Sequence, residues 1–224
     1  MTGKLLSALL ATVTLFGLPA AANAATKLQP GAYHETSVGA CTLNFVYDGG
    51  GKTYLGTAAH CVKSVGQAVR DENGDVFGRV ALVGNEDSAK GDYALIKVDA
   101  EDVDRVSPRV KGIPNAPTGV TRPKQTAAGD LIGLSGYGLG FGATQPTREW
   151  RSGVLGFDDA DEYTLTAPLI YGDSGGPLVH LASGRALGIV SRLCLGVCTD
   201  EGPTVQGILS KAAARGLSLK LRTV

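Results

Sequence analysis

The strongest constraint on the fold is an alternation of short strand-like runs with glycine-rich breaks. Thr42-Leu43-Asn44-Phe45-Val46-Tyr47 stops at Asp48-Gly49-Gly50-Gly51, Thr53-Tyr54-Leu55-Gly56-Thr57 follows at once, and Val76-Phe77-Gly78-Arg79-Val80-Ala81-Leu82-Val83 comes after a further turn signal. β-Branched and aromatic residues favour extended backbone, and clustered glycine interrupts it. Many short strands at this spacing predict an antiparallel sandwich or barrel. Helical periodicity is confined to 208–215, where Ile208, Leu209, Ala212 and Ala213 share a face and Gly216 is placed to end the helix.

Between positions 104 and 127 the character changes, because Pro108, Pro114, Pro117 and Pro123 cannot donate to a sheet ladder. The expected division is an N-terminal half (25–108), a connector (109–124) and a C-terminal half (125–224). No long internal repeat is visible, but two halves of similar size and strand content fit paired barrels.

The first 24 residues read as a secretory signal. Lys4 precedes an apolar run over 5–18, and Ala22-Asn23-Ala24 supplies small residues where a signal peptidase cuts, after Ala24. The run is shorter than the ~20 residues that cross a bilayer, so a membrane anchor is the weaker reading. The expectation is a soluble exported protein. The 21 basic and 21 acidic side chains balance, and losing Lys4 leaves the charge near zero, which implies neither a nucleic-acid face nor an acidic tail. Four cysteines in an exported chain suggest two disulfides. Three pairings are possible, and sequence neighbourhood favours Cys41 with Cys61 and Cys194 with Cys198.

Asp71-Glu72-Asn73-Gly74-Asp75 spaces its oxygens as calcium loops do, but it lacks the glycine and distal glutamate of the helix–loop–helix pattern. Asn73-Gly74 between strand-like runs is a hairpin turn signal, and the turn is the reading adopted. His34 and His180 have no second ligand at a metal-site spacing and read as ordinary core or surface histidines. Metal: none is expected.

Gly172-Asp173-Ser174-Gly175-Gly176-Pro177 carries the chemistry. A serine nucleophile needs a base for its proton and donors for the oxyanion it creates. Flanking glycines open the backbone and leave room for a substrate. Such a cluster is also ordinary turn chemistry, so the reading depends on finding a base and an acid elsewhere. His60, in Thr57-Ala58-Ala59-His60-Cys61, follows a strand-like run and precedes a cysteine whose bridge to Cys41 would pin its loop. Asp92, in Gly91-Asp92-Tyr93-Ala94-Leu95-Ile96, leads into an apolar strand and needs a partner for its charge, which the His60 ring N–H would supply.

These three stretches, in this order, resemble the signature stretches of the chymotrypsin-like (trypsin-fold) serine peptidases. Pro203-Thr204-Val205-Gln206-Gly207-Ile208 followed by a short helix is similar to secreted bacterial members of the streptogrisin kind. The resemblance implies an all-β fold of two six-stranded antiparallel β-barrels with a short C-terminal helix. It also implies His60 as general base, Asp92 as its orienting acid and Ser174 as nucleophile. The N–H groups of Gly172 and Ser174 would form the oxyanion hole, and Ser191 matches the serine that bonds the buried aspartate. The glycine spacing also fits the nucleophile elbow of α/β-hydrolases, but there the acid and then the histidine follow the serine. Here only His180 follows, six positions on, and no alternation of strands with helices accompanies it.

Two departures stand out. Trypsin-type members place a freed N-terminal amine beside the aspartate preceding the nucleophile, whereas little sequence precedes Cys41 here. Asp173 then needs another cation, from Arg148, Arg151 or Arg122, and the enzyme would fold active without a further cut. Six residues before Ser174, where trypsin-like members carry aspartate, stands Pro168, followed by Leu169, Ile170 and Tyr171. Arg192 and Leu193 follow Ser191 on the opposite wall, and Leu193 narrows the pocket. An apolar, small residue on the acyl side of the cleaved bond is expected, with a basic preference open if Asp200 and Glu201 fold inward. The resulting reading is a secreted, monomeric serine endopeptidase acting on protein or peptide substrate without a cofactor, nucleic acid or membrane. Its rival is a protease-fold binding protein whose pocket is blocked by Arg192 and Leu193.

Overall fold

The computed structural model describes residues 26–138, 150–194 and 199–224. The signal segment 1–24, Arg148 and Cys198 lie outside the described residues.

The first half supplies β1 (Tyr33–Glu35), β2 (Ala40–Thr42), β3 (Val46–Gly49), β4 (Lys52–Thr57), β5 (Ala68–Arg70), β6 (Val76–Val83) and β7 (Ala94–Val98). The second supplies β8 (Leu131–Ser135), β9 (Trp150–Asp158), β10 (Glu162–Thr166), β11 (Pro177–His180), β12 (Arg185–Ile189), β13 (Asp200–Pro203), helix α1 (Val205–Ala214) and β14 (Lys220–Leu221). They form two antiparallel sheets, ordered β14-β3-β4-β7-β6-β5-β1-β2 and β12-β11-β8-β9-β10-β13. The double β-barrel with a short C-terminal helix is the expected fold.

The second sheet has the six strands anticipated, and a bridge between Gly188 and Thr204 joins its two ends. The first has eight instead of six, for two reasons. β14 returns from the C-terminal end to pair with β3. The run 42–47, expected as one strand, is two. Thr42 ends the strand at one edge of the sheet and Val46 opens a strand near the other, so Leu43, Asn44 and Phe45 form the corner that closes the barrel. Leu43 exchanges backbone hydrogen bonds with Gly31 and Ala32 on one side, while Asn44 N–H and Phe45 C=O bond Gly56 on the other. Every backbone group of a closed barrel must find such a partner, and a corner meets that need by serving both edges.

Each barrel has its own apolar interior. Leu43, Val46, Leu55, Val69, Phe77, Val80 and Ile96 fill the first, and Ile132, Leu134, Leu155, Tyr163, Leu165 and Leu178 the second. A third cluster joins Phe45, Tyr47 and Leu95 to Val179, Ile189, Val205 and Ile208, so the barrels and α1 pack as neighbours. The helix begins three residues before the apolar stripe in 208–215, because Thr204 caps it by accepting from Gly207 N–H at 3.0 Å. Among the described residues no helix is long and apolar enough to cross a membrane.

Residues 71–75 form the turn joining β5 to β6. Oδ1 of Asp71 accepts the N–H groups of Asn73 (3.0 Å) and Asp75 (3.1 Å), and Oδ2 pairs with Arg105. Asp71 is 1% exposed, so its charge depends on that guanidinium. Removing one partner of a buried pair leaves an uncompensated charge. Arg105→Met should therefore lower the unfolding free energy by about 3–5 kcal/mol in a urea titration; a loss no larger than that of an exposed substitution would show that Asp71 does not depend on Arg105.

Candidate active site

β4 ends at Thr57 and runs into a single 3-10 turn, Ala59–Cys61, which carries His60. The turn is held covalently by the Cys41–Cys61 disulfide and by Thr36, whose hydroxyl donates to the Cys61 carbonyl at 2.8 Å. Cys194 is also disulfide-bonded.

Asp92 sits between a second 3-10 turn and β7 with its side chain 2% exposed. Its oxygens are divided among three donors. Oδ1 accepts the His60 backbone N–H at 3.0 Å. Oδ2 accepts the His60 ring Nδ1–H at 2.7 Å and the Ser191 hydroxyl at 2.6 Å. Burial alone would raise the Asp92 pKa, but the bonds from His60 and Ser191 outweigh it and hold the carboxyl below its ordinary range. Burial likewise pulls the His60 imidazolium down, and Arg192 opposes its charge. The hydrogen bond and charge of Asp92, helped by Glu86, prevail and leave its pKa above the usual value. With Nδ1–H committed to Asp92, Nε2 is the ring nitrogen left for a proton from elsewhere.

Ser174 lies on the tight turn leading into β11. The loop's backbone groups are nearly all assigned. Asp173 N–H donates to Ile170 C=O (3.1 Å), Gly175 N–H to Val190 (2.7 Å) and Gly176 N–H to Asp173 (2.8 Å). The carbonyl of Gly172 accepts the Thr42 hydroxyl (2.7 Å), that of Ser174 the Thr42 N–H (2.9 Å), and that of Gly175 the Asn44 side-chain amide (2.9 Å). The N–H groups of Gly172 and Ser174 donate to no acceptor among the described residues. Those are the two assigned to an oxyanion from the sequence. Gly175 must be glycine on two counts: its φ is +85°, and a Cβ would sit 2.3 Å from the Thr57 hydroxyl.

Asp173 is fully buried. Of the three arginines considered for it, Arg151 on β9 is its partner, with Nη2 at 2.5 Å from Oδ1. Gly138 N–H (3.0 Å) and Ile170 N–H (2.9 Å) complete the set. Arg122 lies elsewhere, its N–H bonded to Gln125.

His60 and Ser174 line one cavity of about 470 Å³, together with Ile170, Tyr171, Gly172 and Leu193. No hydrogen bond joins the His60 ring to the Ser174 hydroxyl among the described residues, a common arrangement before substrate closes the site. Other residues named from the sequence lie apart. Leu169 is buried in the second barrel's core, Pro168 turns its carbonyl to Arg151, and Arg192 extends to Glu201 and the Glu86 carbonyl. Asp200 is buried and accepts the N–H groups of Cys194 (2.8 Å) and Ala167 (3.2 Å). Val38, Gly39 and Ala40 line the cavity without having been singled out; their one signal was adjacency to Cys41. His34 is buried with Nε2 2.7 Å from Thr57 Oγ1, and burial pushes its pKa down to about 3. His180 bonds Ser183 and Asp130.

Residues 41–189 match the family of trypsin-like peptidase domains. No curated protein matches the chain. Among solved structures it is similar to Thermobifida fusca protease A, at 23% identity and a TM-score of 0.63, covering 89% of this chain and 100% of that one. It is similar also to Cellulomonas bogoriensis chymotrypsin, at 20% identity and TM-score 0.58, covering 88% and 100%. A third is a glutamic-acid-specific serine protease described as using a histidine triad in substrate binding, at 21% identity and TM-score 0.59, covering 87% and 100%. At these identities the likeness is one of fold.

The Asp92 bonds fix the sign of the His60 shift. In an NMR titration the His60 ring should titrate above the ordinary histidine value of ~6.5, and Asp92→Asn should bring it down, because burial then acts without the carboxylate. An unchanged His60 titration in Asp92→Asn would remove Asp92 as the cause.

Proposed function

The chain belongs to the trypsin-like peptidase family, and from that premise we propose that it is a secreted serine endopeptidase working through His60, Asp92 and Ser174. The observation carrying this reading is the hydrogen-bonded Asp92–His60 pair at the edge of a cavity that Ser174 also lines. His60 Nε2 takes the Ser174 proton as Oγ attacks the substrate carbonyl. The negative charge that develops on the carbonyl oxygen is met by the N–H groups of Gly172 and Ser174. His60 then gives its proton to the leaving amine, and water, activated by the same ring, hydrolyses the acyl-enzyme. Asp92 keeps the ring in the required tautomer and stabilises the imidazolium.

In this reading the halves 25–108 and 125–224, joined by 109–124, contribute the base with its acid and the nucleophile respectively. The Cys41–Cys61 bridge supports export to an oxidising compartment after removal of 1–24. Arg151 beside Asp173 fills the place a freed N-terminal amine would take, which supports folding to the active form without a further cut. A cavity of about 470 Å³ beside Ser174 favours turnover over the occluded binding protein.

The preferred residue on the acyl side is apolar. Ile170, Val190 and Leu193 line the cavity, the Arg192 guanidinium is drawn off to Glu201, and the Asp200 carboxylate is occupied by backbone N–H groups. Of the three histidines only His60 lines it, so no set of histidines is available to bind an acidic side chain.

Two measurements test the reading. A fluorophosphonate should label the folded protein covalently and leave Ser174→Ala unlabelled, and that substitution should cost on the order of 10⁴ or more in peptide hydrolysis; a folded wild type that takes no label points to the binding protein instead. A peptide-library cleavage profile should be led by apolar residues on the acyl side, and one dominated by Lys, Arg or Glu would overturn the specificity.

A further inference from the structure

The nucleophile loop belongs to the second barrel, yet three of its carbonyls are held by donors from the first. Gly172 C=O and Ser174 C=O are both taken by Thr42, and Gly175 C=O by Asn44. Thr42 ends the strand that leads into the corner closing the first barrel, and Asn44 lies in that corner. We infer that Thr42 and Asn44 are positioning residues that set the orientation of the Gly172 and Ser174 N–H groups, an inference resting on the peptidase reading above.

Peptide planarity carries the argument. A planar peptide held at both its C=O and its N–H cannot rotate. The 172–173 peptide is held by Thr42 at oxygen and Ile170 at nitrogen, the 174–175 peptide by Thr42 N–H and Val190, and the 175–176 peptide by Asn44 and Asp173. Ser174 N–H belongs to the one peptide between fixed neighbours, and its direction follows from theirs. Gly172 N–H precedes a carbonyl locked by Thr42.

The Thr42 hydroxyl has no freedom in this. It accepts Tyr137 N–H at 3.0 Å, so its own proton goes to Gly172 C=O at 2.7 Å. Asn44 is 1% exposed, and it occupies the space left by Gly56, whose Cβ would lie 2.0 Å from Asn44 Oδ1. Oδ1 is bonded by Tyr47 at 3.3 Å, which turns the amide nitrogen toward Gly175. An amide buried in an otherwise apolar corner is costly unless every bond is made. Here the amide's donor bond goes to the nucleophile loop while Tyr47 holds its oxygen.

Thr42→Val keeps the shape and removes the hydroxyl, Thr42→Ser restores it, and Asn44→Ala removes the amide. Two readouts are taken on each folded variant: acylation by a fluorophosphonate with kcat and KM for a peptide ester, and amide hydrogen exchange of 172–176. Thr42→Val and Asn44→Ala should lower kcat by on the order of 10- to 100-fold with KM little changed, because misplaced donors cost most in the transition state. Exchange across 172–176 should quicken, and Thr42→Ser should return both readouts toward wild type. Unchanged exchange and rate in Thr42→Val, or no recovery in Thr42→Ser, would overturn the inference. A wild type that neither acylates nor turns over would refute the peptidase reading, while exchange would still decide whether the two residues hold the loop.

Discussion

Negative charge without water is the constraint around which this molecule is arranged. Asp92 and Asp173 have almost no exposure, and a carboxylate in that position must be met by donors in fixed places. The donors to Asp92 come from both barrels: His60 from the turn after β4, and Ser191 from the segment after β12. The barrels therefore meet in a register that satisfies this carboxylate. Asp173 imposes a second condition within the C-terminal barrel, where Arg151 on β9 and the N–H groups of Gly138 and Ile170 converge on it. Ser174 directly follows Asp173, so its loop is placed by a buried ion pair on one side and by the first barrel's corner on the other.

In the proposed reaction the donors of this arrangement are in place before substrate arrives, and only the His60–Ser174 hydrogen bond is still to be made. Donors already fixed in direction cost nothing to reorganise when charge develops. The loop at 172–176 has its carbonyls and most of its N–H groups engaged, and the two N–H groups left over, those of Gly172 and Ser174, donate to no acceptor among the described residues. Burial and charge work against each other at both His60 and Asp92, and in each case the hydrogen bond between them decides the outcome. Protonated His60 is favoured by its neighbour, which suits the base role proposed for it.

Legibility in the sequence followed the range of the interactions. β4 and β6 were readable because short runs of β-branched, aromatic and aliphatic residues are bounded by turn signals. The turn at 71–75 was readable for the same reason. The corner at 43–45 was not, since its residues have strand-like character and only the two different edges they bond make them a bend. Thr42 and Asn44 gave no signal, because a polar residue in a strand-like run reads as a solvent-facing position until its partner 130 or 131 residues on is known. Asp173's need for a cation could be deduced, but the choice among three arginines could not, because nothing local tells which one the sheet brings back. Pro168 and Leu169 were assigned to a pocket wall by their place in the resemblance, and the structure puts the Pro168 carbonyl on Arg151 and Leu169 in the core.

The Cys41–Cys61 bridge connects these observations. Cys41 immediately precedes Thr42, and Cys61 immediately follows His60. One covalent bond thus joins the strand end that holds the Ser174 loop to the turn that carries His60. Neither element has much regular structure of its own: β2 has three residues and the His60 turn is a single 3-10 turn. Short elements at a barrel rim are drawn from the low-stability end of a fold. Closing the intervening loop covalently removes freedom from the unfolded chain, worth on the order of 3 kcal/mol for a loop of this size, and in the folded state it limits how far His60 and Thr42 can drift apart. Asp92 sets the direction of the His60 ring, Thr42 that of the loop, and the disulfide couples the two, so the geometry at Ser174 does not depend on any one barrel's rigidity.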